Sequence, residues 1–445
     1  MMPTDGNQRI LLISANRESF PEPVFPIGSV YVGNALQMAG ARVRIFDMRH
    51  HFRTSSVQKE ITTFHPDCIG ISLRNVDNAS YPATRFYLPS YAALAKSIRT
   101  ISKVPIILGG SAFSLFPDEI TAYLEADGGI KGEGENAARI FKEFKRKPER
   151  IIAADPTNMT DVAFPKNIKD LFPGFHRYKT MGIQTARGCS NKCIYCTYPS
   201  LEGGRRRERS AESVVDDIVR LYKDFGISSY FIVDSLFNAD EGHMVRVLEK
   251  LEEQNLPVRF SCYMQPKMSD PDIFRLLKRA GCIAVDFGTD SAAPAILSSL
   301  RKSFTQDDIT AVSTACRKAD IDFCHSLIFG GPRETPETIA ETVSLMDEIA
   351  PRAVIAMTGI RIYPGTEMEQ IAIREGVIRE GQSLLEPQFY LSPLGAQPLL
   401  RIVDETVGGR RNWFFPGKMN WSSTIGNRIF SFLYRKGPLW KTFRK

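Results

Sequence analysis

Three cysteines, Cys189, Cys193 and Cys196, lie in the run Arg187-Gly-Cys-Ser-Asn-Lys-Cys-Ile-Tyr-Cys with a C-x3-C-x2-C spacing. Thiolates bind soft metals, and an iron–sulfur cube of four irons is normally held by four of them. With three ligands close together and no fourth nearby, one corner of such a cube is left for a small molecule. Two other readings of the same residues stay open. A zinc knuckle asks for a fourth Cys or His at short range, and three buried thiols need no metal at all.

Downstream, Gly203-Gly-Arg-Arg-Arg-Glu-Arg-Ser210 sets four arginines between a flexible loop and a helix start capped by Ser210. A planar guanidinium forks onto a carboxylate, and Arg207 and Arg209, nearest the helix start, are the candidates. The histidines offer less: His50 and His51 close a strand, and His325 lies within another, where a core histidine is as good a reading as an active-site one. Cys262 and Cys324 also fall in strand-like runs and read as buried thiols.

These residues need a scaffold. Residues 9–150 alternate apolar runs at 10–14, 42–47, 68–72, 105–110 and 129–134 with helical patterns at 28–39, 57–64, 91–101 and 117–124. Strands that are apolar throughout are buried on both faces, so the pattern predicts an α/β domain with a doubly wound, Rossmann-like parallel sheet. Ligands of such sheets bind beyond the carboxyl ends of the strands. There the chain places Ser72, Leu73 and Arg74, then Gly109 and Gly110, then Gly132, Glu133 and Gly134, and glycine lets a bulky ligand approach the backbone.

Residues 151–175, rich in Pro, Asp and Asn, read as a surface linker. From Gly182 the alternation resumes, with strands beginning at Gly182, Ser229, Arg259, Cys282, Phe323 and Val354. Six parallel βα units curl into a partial (β/α)6 barrel, whose chemistry sits at the carboxyl ends of the strands. The cysteine loop follows the first of them. The expected division is a first domain at 8–150, the linker at 151–175, the barrel at 176–380 and a mostly helical, basic and aromatic extension at 381–445.

Tyr195 precedes the third cysteine, and C-x3-C-x-aromatic-C resembles the signature of radical S-adenosylmethionine (SAM) enzymes, in which SAM chelates the fourth iron of a [4Fe–4S] cluster. The strand ends Asp234-Ser-Leu-Phe-Asn238, Phe287-Gly-Thr-Asp-Ser291, Gly330-Gly-Pro-Arg-Glu-Thr335 and Arg361-Ile-Tyr-Pro-Gly-Thr366 extend the likeness. With the Ser-x-Leu and Gly-Gly elements of the first half, the chain resembles the class B, cobalamin-dependent radical SAM methylases.

The resemblance implies cluster ligation by Cys189, Cys193 and Cys196 and SAM contacts from Tyr195, Asp234, Asp290, Ser291, Gly331, Glu334, Ile362 and Tyr363. Arg207 or Arg209 would take the SAM carboxylate. Cobalamin would lie on Ser72, Leu73, Arg74, Gly109, Gly110, Gly132, Glu133 and Gly134. Two departures from the family stand out. Leu327 and Phe329 replace the first Gly and Ile of its G-x-I-x-G-x-x-E strand, and the loop from Ser14 to Phe20 lacks the histidine of D-x-H-x-x-G. No imidazole is therefore expected on cobalt, and Arg74 is the candidate for its lower face.

The implied activity is methyl transfer to an unactivated carbon, or to phosphorus, of a small-molecule or lipid-like precursor. One SAM would yield a 5′-deoxyadenosyl radical, and a second would recharge methylcobalamin. A flavodoxin or ferredoxin would supply the electron. A ring-closing or oxidising enzyme with the same cofactors, and a sensor with a structural cluster, are the alternatives.

Composition sets the frame. A chain of 445 residues with 43% hydrophobic content can bury two or three cores. The net charge of +7 is a C-terminal feature: residues 401–445 hold ten Lys/Arg and two Asp/Glu, which leaves about −1 for the rest. Nucleic acid is accordingly not an expected partner. Eight cysteines without a disulfide framework, no apolar stretch near the roughly 20 residues of a membrane span and no leader pattern point to the cytoplasm. An apolar stripe over 425–436 predicts a helix that either packs across the barrel mouth or lies on a lipid surface.

Overall fold

The computed structural model describes residues 8–18, 23–51, 54–136, 151–268, 270–416 and 438–442. Six short strands build the first sheet: β1 (Arg9–Ser14), β2 (Arg42–Asp47), β3 (Cys68–Ser72), β4 (Ile106–Gly109), β5 (Gly128–Lys131) and β6 (Ile151–Ala153). All pair in parallel, in the order β2-β1-β3-β4-β5-β6. The apolar runs have a simple cause. Ile10 and Leu12 of β1 are buried in one core while Leu11 and Ile13 are buried in another, so none of these four positions faces water. The chain leaves β1 and β3 toward opposite sides, and a crevice opens at their carboxyl ends.

The segment expected as a surface linker is instead a packed joint. Its first residues form β6, and Phe164, Ile168, Leu171, Phe172 and Phe175 are buried in the same core as Leu12 of β1 and Met181 and Ile183 beyond it. Its prolines break helices, but its phenylalanines carry enough apolar area to fill the seam, and Phe25 stacks on Phe164 with ring centroids 5.9 Å apart.

The second half runs through β7 (Met181–Ile183), β8 (Ala186–Arg187), β9 (Arg207–Glu208), β10 (Ser229–Ile232), β11 (Arg259–Met264), β12 (Cys282–Asp290), β13 (Asp322–Phe329), β14 (Ala353–Thr358), β15 (Ile360–Arg361), β16 (Phe389–Tyr390) and β17 (Trp413–Phe414). The strands β7, β10, β11, β12, β13 and β14 are parallel neighbours in chain order, which is the partial barrel; β17 extends it beside β14. β8 and β9 form an antiparallel ribbon that roots the cysteine loop.

β12 continues to Asp290, past the expected end at Phe287. A register shift between Gly288 and Asp290 breaks its pairing with β13, and Asp290 takes a left-handed φ of 63°. The extension contributes a helix, Ala396–Val407, and Trp440, buried against Ala284, Cys324 and Ala353 near the amino ends of their strands. The helix expected over 425–436 lies outside the described residues. Among the described residues no helix is long and apolar enough to cross a membrane.

Candidate active site

The cysteine loop leaves the ribbon through Gly188, whose φ of 88° and whose missing side chain are both required: a Cβ there would stand 2.3 Å from the carbonyl of Arg205. Cys189, Cys193 and Cys196 line one pocket of about 420 Å³ together with Asn191, Gly204 and Thr366. Among the described residues no three His, Cys, Asp or Glu side chains converge as ligands of a single ion. Three thiols on the wall of one pocket fit a cube, where each sulfur meets a different iron. Burial pushes the Cys196 thiol up to about 11 and raises that of Cys193 as well, against the pull of Lys302. Loading a metal therefore requires deprotonation, which the Lys302 ammonium favours.

Lys302 belongs to a buried trio. Its ammonium lies 2.5 Å from the Asp290 carboxylate and donates to the Tyr195 hydroxyl at 3.2 Å, and the same hydroxyl donates to Asp290. The bulge at the end of β12 aims Asp290 at this point. Tyr195 and Asp290 are thus brought together beside Cys193 as expected of a SAM-binding end. Lys302 has no motif in the sequence to announce it.

Other expected SAM contacts are engaged within the protein. Asp234, 1% exposed, accepts from the amide and hydroxyl of Thr185 at 2.7 and 2.5 Å and from the amide of Ala186, and so holds the end of β7 in place. Ser291 bonds Thr342, and Glu334 accepts from the Gly330 amide and the Thr338 hydroxyl. Gly331 and Ile362 sit against the apolar wall that Ile360 and Leu300 build near Ile194.

Arg209 differs most from expectation. It is 1% exposed and bonded to Asp217, Ser213 and the carbonyl of Gln184, so it is a core residue without access to a cofactor carboxylate. Arg207 is spent on Glu133, the carbonyl of Thr157 at 2.6 Å and that of Glu202 at 2.8 Å. Glu133 in turn accepts from Arg187 and the Thr157 amide, which makes it a link between domains, and it also lines the cavity at the strand ends.

The carboxyl ends of β1, β3, β4 and β5 open into a cavity of about 990 Å³ lined by Ser72, Arg74, Gly109, Gly110, Gly132 and Gly134, and from the barrel by Tyr198, Tyr263 and Tyr363. A volume of this order stands at the top of the range for ligand sites. Gly110 carries a φ of 94°, and a Cβ on it would come within 2.5 Å of the Leu73 carbonyl, so the backbone itself forms the cradle. Arg74 is exposed to this cavity, and its charge acts on Tyr91, Tyr198 and Tyr263. His325 lies elsewhere, 0% exposed between Thr289 and Ser313.

A large crevice at a strand-order switch, joined to a barrel whose first loop carries three thiols, is matched by two known families. Residues 13–142 match the B12 binding domain and residues 183–346 the Radical SAM superfamily. The chain joins a B12-binding domain to a radical SAM domain. Its cofactors are cobalamin, a [4Fe–4S] cluster and SAM, and the crevice and thiol pocket fit them. Among its relatives, the uncharacterized methyltransferase PH0819 of Pyrococcus horikoshii is 25% identical over 83% of this chain and 84% of its own length. The tryptophan 2-C-methyltransferase of Streptomyces laurentii is 23% identical over 80% and 73%. In fold, the chain is similar to the methyltransferase TsrM of Kitasatospora setae, solved with cobalamin and a [4Fe–4S] cluster, with a TM-score of 0.83 at 21% identity over 98% of this chain and 97% of that one. The cobalamin-dependent enzyme OxsB follows with a TM-score of 0.71 over 86% and 64%.

Proposed function

We propose that this enzyme transfers a methyl group to an unactivated carbon of a small molecule. The observation that carries the reading is the cavity running from the strand ends of the B12-binding domain into the barrel, so that methyl donor and substrate would share one space. When bound, the cluster with SAM supplies radical chemistry and cobalamin supplies a transferable methyl. The chain's own residues orient and shield these groups. Cys189, Cys193 and Cys196 hold the cluster. Asp290, Tyr195 and Lys302 fix the SAM end through one buried hydrogen-bonded trio. Gly109, Gly110, Gly132 and Gly134 would let the nucleotide tail reach the backbone, Leu73 supplies the carbonyl that anchors this turn, and Arg74, which lines the same cavity, is the side chain that would meet the corrin.

Three relatives that share about four-fifths or more of this chain are methyltransferases, which favours methyl transfer over ring closure or sensing. An electron carrier of the flavodoxin or ferredoxin kind reduces the cluster, the setting is cytoplasmic, and the basic C-terminal segment offers a contact for a lipid surface. Anaerobic reconstitution with cobalamin and SAM, followed by an untargeted search of cell extract for products about 14 Da heavier, tests the reading. A product of altered ring structure without added carbon, or no SAM turnover at all, overturns it.

A further inference from the structure

The cavity does not stop at the cofactor crevice. It continues into the barrel, where Phe231, Ser261, Tyr263, Asp286, Ser326 and Met357 line it from β10 to β14 and Trp440 closes its floor. Of the lining residues that these strands and β7 contribute, Asp286 alone carries a charge.

Its partners are neutral. The Trp440 indole N–H donates to one carboxylate oxygen at 3.3 Å and the Cys324 thiol to the other. Among the described residues no Lys, Arg or His pairs with it. The nearest basic residue in sequence to its indole partner, Lys441, is turned away to Asp322 at 3.0 Å. The remaining wall is aromatic, with the Phe231 and Tyr263 rings edge to face at 4.9 Å. A carboxylate kept deep in a protein without a counter-ion is unfavourable until a cation arrives, and aromatic faces also favour a cation.

We propose that Asp286 is the substrate-recognition residue of this enzyme, its carboxylate receiving the protonated amine of a small aromatic or apolar substrate seated in the barrel lumen. The inference rests on the reading of the lumen as the substrate chamber. The placement is productive. Asp286 and Asp290 share β12, four residues and so about 13 Å apart along the strand. A substrate held by its amine at the floor therefore extends its body toward the mouth, where the cofactor groups meet.

The test is a binding titration of the full-length, anaerobically reconstituted holoenzyme with three probes of one shape: 2-phenylethylamine, neutral propylbenzene and anionic 3-phenylpropionate. The amine binds about tenfold or more tighter than propylbenzene, and 3-phenylpropionate binds weakest. Asp286→Asn, which keeps the size of the side chain and the acceptor for Trp440, removes the amine's advantage and leaves propylbenzene unchanged. Should that variant fail to fold, the ranking of the three probes on the unaltered enzyme decides alone. Equal or tighter binding of either other probe, an amine affinity unaffected by Asp286→Asn, or no binding of any probe overturns the assignment. Because the readout is affinity, its failure is separable from that of methyl transfer. A methylated product without an amine preference sinks this inference only, and an amine preference without methylated product sinks the methyl-transfer reading only.

Discussion

Arg187 and Glu133 meet across the two domains, guanidinium to carboxylate at 3.0 Å, with less than a tenth of either side chain exposed. Arg187 stands two residues before Cys189 and Glu133 two residues after β5, so this pair ties the cluster loop to the corrin crevice. Burial alone would raise the Glu133 carboxyl, but the Arg207 hydrogen bond and the Arg187 charge hold it below the usual range. Breaking a buried pair from one side typically costs about 3–5 kcal/mol. Glu133→Gln is expected at the low end, about 3 kcal/mol, because Glu135 still pairs with Arg187. Denaturant unfolding under anaerobic conditions measures it, and iron and cobalamin content should fall together. A loss of iron alone would show that the pair serves only the loop.

The fold was legible because buried parallel strands are written as continuous apolar runs, and β1, β3 and β4 fall within a residue of where those runs fall. The cysteines were legible for the same reason that they work: their chemistry depends on spacing along the chain. The rest of the site depends on spacing across it. Arg209 looked free among four arginines, yet Asp217 on the following helix claims it; nothing in the local sequence shows that partner. Lys302 lies in an ordinary polar turn and becomes a site residue only because the bulge in β12 brings Asp290 to it. Asp286 did leave a trace, as a lone acid inside the apolar strand Cys282-Ile-Ala-Val-Asp-Phe287.

Gly109 and Gly110 should separate binding from folding. A Cβ on Gly110 collides with the Leu73 carbonyl at 2.5 Å in a left-handed backbone, so Gly110→Ala costs about 1–3 kcal/mol and weakens cobalamin retention with it. At Gly109 the nearest atom to a Cβ is the Ile130 carbonyl at 3.9 Å, and the space beyond is the crevice. Gly109→Ala is therefore expected to melt like the unaltered protein and still lose cobalamin, read from the absorbance of the purified protein. Full cobalamin occupancy in Gly109→Ala would place the corrin elsewhere.

Lys302 and Asp290 set opposite charges beside the cluster thiols, one lowering and the other raising the Cys193 thiol. Lys302→Met removes a cation that stabilises the reduced, more negative cluster, so its midpoint potential should move downward. Asp290→Asn should move it upward. A redox titration followed by electron paramagnetic resonance reads both. Shifts of the same sign would mean that the trio acts through loop geometry and not through charge.

His325 should make the protein acid-sensitive, and Asp286 should partly mask it. Burial between Thr289 and Ser313, stacked on Phe287, lowers the His325 imidazole to about 3. The unfolded chain thus binds a proton near pH 6.5 that the folded chain refuses, and stability falls as pH drops below that value, by about 2 kcal/mol at pH 5. Asp286 has the opposite sign. Burial raises its carboxyl to about 6, so between pH 7 and 5 the folded state takes up a proton that the unfolded state does not, contributing about 1 kcal/mol at the lower pH. From these two groups, denaturant curves at pH 7 and 5 should accordingly show a loss of about 1 kcal/mol on acidification for the unaltered enzyme, a reversal to a gain of about 1 kcal/mol for His325→Gln and a larger loss of about 2 kcal/mol for Asp286→Asn. Identical slopes in His325→Gln and the unaltered protein would mean that the imidazole is protonated in the fold, with Thr289 and Ser313 both accepting from it.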